Sequence, residues 1–163
     1  MIDIRKALES ENVSEDKIKK VLKELGIDEN KRWDAVVGEE YWCVSTYGLI
    51  FLHQFDDSVY SKYLKSIGNI FKTKQEAQNH LYKINFLSQM KIDFEDNSDE
   101  IDWSDYNQKK CSVCFDHFKN KIISTWWGSV QNQGVLCTTN EEWLKQYIID
   151  NEQQIKKYCF GIE

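Results

Sequence analysis

Cys111-Ser112-Val113-Cys114, with His117 three residues further on, is the pattern in this 163-residue chain that comes nearest to a metal site. A C-x-x-C pair can supply half of a tetrahedral zinc site, which needs four ligands. No second C-x-x-C and no closely spaced histidine pair completes it, because Cys137, Cys159, His53 and His80 are scattered along the chain. In a strand, residues i and i+3 also point to opposite faces. The cysteines therefore read as ordinary buried thiols, and no metal or other cofactor is expected. The three histidines lie far apart, with no nucleophile placed for any of them to activate. Phosphate-cradling glycine loops, H-E-x-x-H and G-x-S-x-G are all absent from the sequence. The chain is expected to be non-enzymatic, and no catalytic residue is assigned.

Charge points elsewhere. The formal net charge is −6, and residues 92–106 account for more than all of it. This stretch holds Asp93, Glu95, Asp96, Asp99, Glu100, Asp102 and Asp105 and no basic residue, whereas the segments on either side are close to neutral. No region is basic enough to make phosphate binding the default. An acidic run is usually a solvated linker. It can also imitate nucleic-acid phosphates and occupy a basic groove on a partner. The spacing does not fit a calcium-binding EF-hand loop. Trp103 and Tyr106 sit inside the acidic run, where an aromatic ring has little local reason to be buried unless it docks on something. Trp126-Trp127 falls in a predicted strand, so one ring enters the core and the other does not. Trp127 is assigned with Trp103, Tyr106 and the seven carboxylates to a partner-binding surface.

The elements that must position these groups can be read from periodicity and turn chemistry. Residues 1–32 form an N-terminal helical arm: a short helix over 2–10, then one capped by Ser14, with Ile18, Val21, Leu22 and Leu25 on one face and Gly26 at its end. Residues 33–92 form a first β-hairpin–helix unit. Its strands are Tyr41-Trp42-Cys43-Val44 and Leu49-Ile50-Phe51-Leu52 around Tyr47-Gly48. Residues 54–66 are ambiguous between a short helix and a loop. A short strand at Ile70-Phe71 then runs through the capping box Thr73-Lys74-Gln75-Glu76 into a helix ending near Met90. Its core face is Ala77, Leu81, Ile84 and Leu87, or a stripe that takes in Phe86.

Residues 93–106 are expected as an acidic linker, and 107–163 as a second unit of the same kind. Its hairpin turns near Phe118-Lys119-Asn120, and a capping box Thr138-Thr139-Asn140-Glu141 opens the last helix. Setting Ile70-Phe71 on Val135-Leu136 and Glu76 on Glu141 gives a weak internal duplication. The competing reading is that any strand running into a capped helix looks like this. The fold class is α+β: an N-terminal helix pair followed by two β-hairpin–strand–helix units. No apolar run approaches membrane-spanning length and no signal-peptide pattern opens the chain, so a cytoplasmic location with reduced cysteines and no membrane partner is expected.

Gly38-Glu39-Glu40-Tyr41-Trp42-Cys43-Val44, the glycine turn at Gly48, the run from Gly68 through Phe71 and Lys74 to Ala77, the pair Asp102-Trp103 and the ending from Ile155 resemble a group of small bacteriophage and prophage accessory proteins. The resemblance covers residues 33–163. It implies a phage origin, a host-cell cytoplasm and a hairpin-plus-helix body, and it brings no assigned activity and no site residues. Small phage proteins without enzymatic motifs are often inhibitors or adaptors of host machinery. The leading expectation is an inhibitor of a host protein, of the anti-defence (anti-CRISPR-like) kind, whose partner is a nucleic-acid-binding defence protein. The alternatives are a nucleic-acid-binding module, and a small enzyme or nucleotide-binding protein with an unrecognised site.

Overall fold

The structure, a computed structural model, describes residues 11, 13–14, 17–18, 20–21, 33–128 and 134–162. The elements run β1 (Glu40–Val44), β2 (Ile50–Gln54), α1 (Val59–Ser66), α2 (Lys74–Asp96), β3 (Lys110–Asp116), β4 (Lys121–Trp127) and α3 (Glu141–Cys159). The strands form two separate two-stranded sheets, β1-β2 and β3-β4. The class is α+β, with two small antiparallel sheets and three helices among the described residues. The expected N-terminal helix pair lies mostly outside the described residues. Within it, Lys17, Ile18, Lys20 and Val21 are helical, and the N–H groups of Lys17 and Ile18 donate to the Ser14 carbonyl. The chain divides into two compact units, residues 1–43 with 50–74, and residues 44–49 with 75–163.

In the first hairpin, Phe55 N–H donates to Glu39 O and Ser45 N–H to Leu49 O, each at 2.8 Å. These bonds at its two ends fix a register with Tyr41 opposite His53 and Cys43 opposite Phe51. Gly48 closes the turn at φ +73°, a left-handed conformation that costs glycine little. The ambiguous segment 54–66 contains α1, capped by Ser58, whose side chain accepts from Ser61 N–H at 3.2 Å. Asp56 Oδ1 accepts from Ser61 Oγ at 2.7 Å and from Ser58 N–H at 3.1 Å. The core of this unit is small: Ala35, Tyr41, Cys43, Phe55, Leu64 and Ile70, with Trp33 packed against it. On the other edge of β1, Trp42 and Phe71 exchange both backbone hydrogen bonds at 2.8 Å.

The second hairpin pairs Lys110 with Trp127 through to Asp116 with Lys121. Its turn forms because Asp116 Oδ1 accepts from the N–H groups of Phe118 and Lys119 at 3.0 Å. One sheet face presents Cys111, Val113, Phe115 and Ile122 to a core completed by Met90 and Phe94 of α2 and by Leu144, Ile148 and Ile155 of α3. Phe94 meets Trp143 and Tyr147 edge-on, at ring-centroid distances of 5.2 and 5.9 Å. As in the first hairpin, the outer edge of the first strand takes an antiparallel bridge, here between Cys111 and Thr138.

Three details depart from the sequence expectations. Helix α2 runs on to Asp96, and its buried residues are Ala77, Met90 and Phe94. Ile84, placed on the core face by periodicity, is exposed, because the apolar residues are spread around this helix and no single stripe dominates. The cap of α3 is Asn140, whose side chain accepts from Trp143 N–H at 3.0 Å. Thr138, expected as the cap, is taken up by the bridge to Cys111.

Candidate functional site

Residues 93–106 lie inside the second unit. Asp93, Glu95 and Asp96 complete α2, and the remainder is a folded loop hydrogen-bonded at both ends. At its start it zips onto the approach to α3. Thr138 Oγ1 donates to Asn97 O at 2.6 Å, Thr139 N–H to Ser98 Oγ at 3.2 Å, and Asp99 N–H to Thr139 Oγ1 at 2.9 Å. In its middle, Gln108 accepts from Asp102 N–H at 2.8 Å and donates to Glu100 O at 2.7 Å.

At its end the loop closes on Lys110, which is fully buried. Lys110 Nζ donates to Asp105 O at 2.7 Å and to Gln108 O at 3.1 Å, and it lies 5.7 Å from the centroid of the Trp103 ring. A buried ammonium is costly unless it is hydrogen-bonded. Here the loop supplies carbonyl oxygens and an aromatic face, so the lysine that must be satisfied also fixes the loop's shape.

This scaffold leaves Glu95, Asp96, Asp99, Glu100, Asp102 and Asp105 exposed and Asp93 half-buried. Among the described residues, the only ion pair made by the seven is Glu95 with Lys91 at 3.7 Å. Asp102 accepts from Ser104 Oγ and N–H; the hydroxyl foremost, then the amide, hold its carboxyl below the ordinary range. Asp93 accepts from Gln89 at 2.8 Å. It also adds to the upward shift that burial imposes on the Tyr147 hydroxyl. Beside the loop, an open cavity of about 590 Å³ is lined by Asp96, Asp99, Lys109, Asn140, Glu141 and Glu142. The Glu141 carboxyl is held low by hydrogen bonds from Lys145 and Lys109.

The aromatic residues divide. Trp103 is half-buried against Lys110 and pins the loop, whereas Tyr106 stands open. Trp127 pairs across the sheet with Lys110, and its indole N–H donates to the buried Ser112 hydroxyl. Alternation along β4 holds, but the outward ring is Trp126, 58% exposed, and not the half-buried Trp127 assigned from sequence. Trp126 pairs across the sheet with Cys111, on the face that carries the core, and its ring stands open at that end of the sheet.

Cys111 and Cys114 lie on opposite faces of β3. Burial pushes the Cys111 and Cys137 thiols up. Among the described residues, no group of three His, Cys, Asp or Glu side chains could hold a metal ion. No helix of the described residues is long and apolar enough to cross a membrane.

A second surface was not anticipated. Helix α1 buries Ser61 and Leu64 and exposes Val59, Tyr60 and Tyr63, and the Ile67 that caps its C-terminus is exposed as well. Beside it the His53 ring stacks on Tyr41 at 5.8 Å and lies 6.2 and 6.3 Å from Tyr60 and Phe51. The sequence signal was the i, i+4, i+8 spacing of Val59, Tyr63 and Ile67, which would have marked an apolar helix face within the segment left ambiguous. Comparison of the chain with protein-family models, with curated proteins and with solved structures gave no match.

Proposed function

We propose that this chain is a non-enzymatic, phage-type protein that binds and inhibits a host protein in the cytoplasm, as an anti-defence factor whose target carries a basic, nucleic-acid-binding groove. The observation that carries this reading is the loop closed on Lys110. Six carboxylates are held outward on a prefolded frame, and one of them has an ion-pair partner among the described residues. A prefolded anionic loop loses less conformational entropy on docking than a flexible acidic tail would. It steers towards a basic groove and gives binding that weakens as salt rises. Tyr106, beside Asp105, supplies an open aromatic anchor of the kind that dominates interface energetics, Trp103 holds the loop from beneath against Lys110, and Trp127 braces the strand that carries Lys110. The test is capture of the target from host lysate at low and high salt, with a variant reversing the charges of Asp96, Asp99, Glu100, Asp102 and Asp105. Retained capture by that variant removes the acidic surface from the mechanism.

We propose further that the two hairpin–bridge–helix segments descend from one duplicated unit. Its support is that Phe71 and Thr138 each bridge the outer edge of their hairpin's first strand, and each stands three residues ahead of the helix that follows. This pairing is two residues out of step with the one that matched Glu76 to Glu141.

A further inference from the structure

Strand β2 has the composition of a strand meant to be paired on both sides. Its sequence, Ile-Phe-Leu-His-Gln, carries no lysine, no acidic residue and no proline, the devices by which exposed sheet edges usually avoid pairing. In the register above, His53 and Phe51 turn their backbone groups to β1, so the N–H and C=O groups of Ile50, Leu52 and Gln54 turn outward. Those of Leu52 meet no hydrogen-bond partner among the described residues. We propose that β2 pairs with β2 of a second copy, antiparallel about a two-fold axis through Leu52, to make one continuous four-stranded sheet.

The edge is self-complementary. The three outward residues are evenly spaced about Leu52, so one axis sets Leu52 against its own copy and Ile50 against Gln54 in both directions. Every outward donor then meets an outward acceptor. With no lysine, arginine or carboxylate in it, the strand brings no such like charges together at the axis, and such an isologous contact closes at two subunits. The surface beside the edge is apolar enough to be covered. Tyr60 and Tyr63 of α1 are 55% and 57% exposed and Phe51 is 43% exposed. Their open portions present roughly 300 Å² at about 150–250 Å² per aromatic side chain. Leu52, whose side chain points to the other face of the sheet, and Val59, next to Tyr60, are also exposed and add to the area a partner would cover, against about 800 Å² per partner in a standard interface. Extending the sheet through β2 sets the two copies of Phe51, His53 and Tyr60 side by side on one face. This inference stands apart from the acidic loop and does not depend on the function proposed for it.

Sedimentation velocity on the full chain tests it. The wild type should sediment as a dimer at micromolar concentration. Leu52→Pro removes an outward N–H while sparing the bonds to β1, and should weaken dimerisation at least about tenfold, the ratio that 1.4 kcal/mol corresponds to. Far-UV circular dichroism should stay unchanged. Should Leu52→Pro unfold the chain, Leu52→Cys decides. Mild oxidation of that variant should yield, by mass spectrometry, a peptide disulfide-linked to its own copy through the introduced thiol, since paired Cα atoms about 5.5 Å apart suit a disulfide. A wild type that is monomeric at about 0.1 mM, or a dimer that survives Leu52→Pro and gives no such peptide, overturns the proposal.

Discussion

The two hairpins share a plan and differ in what covers them. Hairpin β3-β4 is closed on both sides of Lys110 and Cys111. Helix α3 and the end of α2 fill one face, and the loop gathered around Lys110 and Trp103 caps the other. Hairpin β1-β2 has a small core under Tyr41 and Cys43, while Phe51, Leu52 and His53 of β2 stay open and α1 faces its largest apolar side chains outward. Burial, and not topology, separates a unit that is finished internally from one that carries surface to spare. A monomeric protein rarely leaves large contiguous apolar patches uncovered without using them.

Phe94→Ala should destabilise the chain most. Phe94 is buried between Trp143 and Tyr147, so its truncation should cost about 3–5 kcal/mol in a urea titration, as large cavities do. Next is Lys110→Met. Removing the ammonium leaves the Asp105 and Gln108 carbonyls without their donor, a cost of about 1–3 kcal/mol. Hydrogen exchange should quicken at residues 99–109 and leave β1-β2 unaffected; uniform protection across the loop would show that Lys110 does not organise it.

In the first unit, Tyr63→Ser should shift the stability of the monomer by no more than about 0.5 kcal/mol, as exposed substitutions do. A loss comparable to that of Phe94→Ala would mean the α1 face is already buried. The smallest effect is acid sensitivity. Hydrogen bonds from Ser58 and Ser61 draw the Asp56 carboxyl down to about 2. Because folding lowers this pKa, its stabilising contribution is present above its ordinary value of about 4 and is lost as pH falls from there towards 2. Carboxyl NMR titration should find Asp56 among the last groups to protonate, with Ser61→Ala moving it back up.

Much of this fold was legible in the sequence. Both hairpins are marked by β-rich runs around Gly48 and around Asn120, and the two long helices by capping residues. The errors have a common cause, which is tertiary use of a residue that local rules had already assigned. Thr138 looks like a cap by spacing, but β3 claims it. Residues 93–106 look like a solvated linker by composition, but a buried lysine four residues beyond the stretch folds them. Lysine is almost never expected in the interior, so nothing local to the acidic run announces its anchor. Trp126 and Trp127 could not be told apart because alternation gives opposite faces without saying where the core ends. The exposed face of α1 falls within residues 54–66, where the sequence does not decide between a short helix and a loop, so no face is assigned there.

Thr138 is where several of these parts meet. It exchanges both backbone hydrogen bonds with Cys111, gives its hydroxyl proton to Asn97 O and receives Asn140 N–H at 3.0 Å. One residue thereby ties a sheet edge, the exit of α2 and the entrance of α3 into a single knot. A spectroscopist following the Thr138 amide alone would be watching all three at once, and a ligand settling on the carboxylates nearby would announce itself there as a moved resonance.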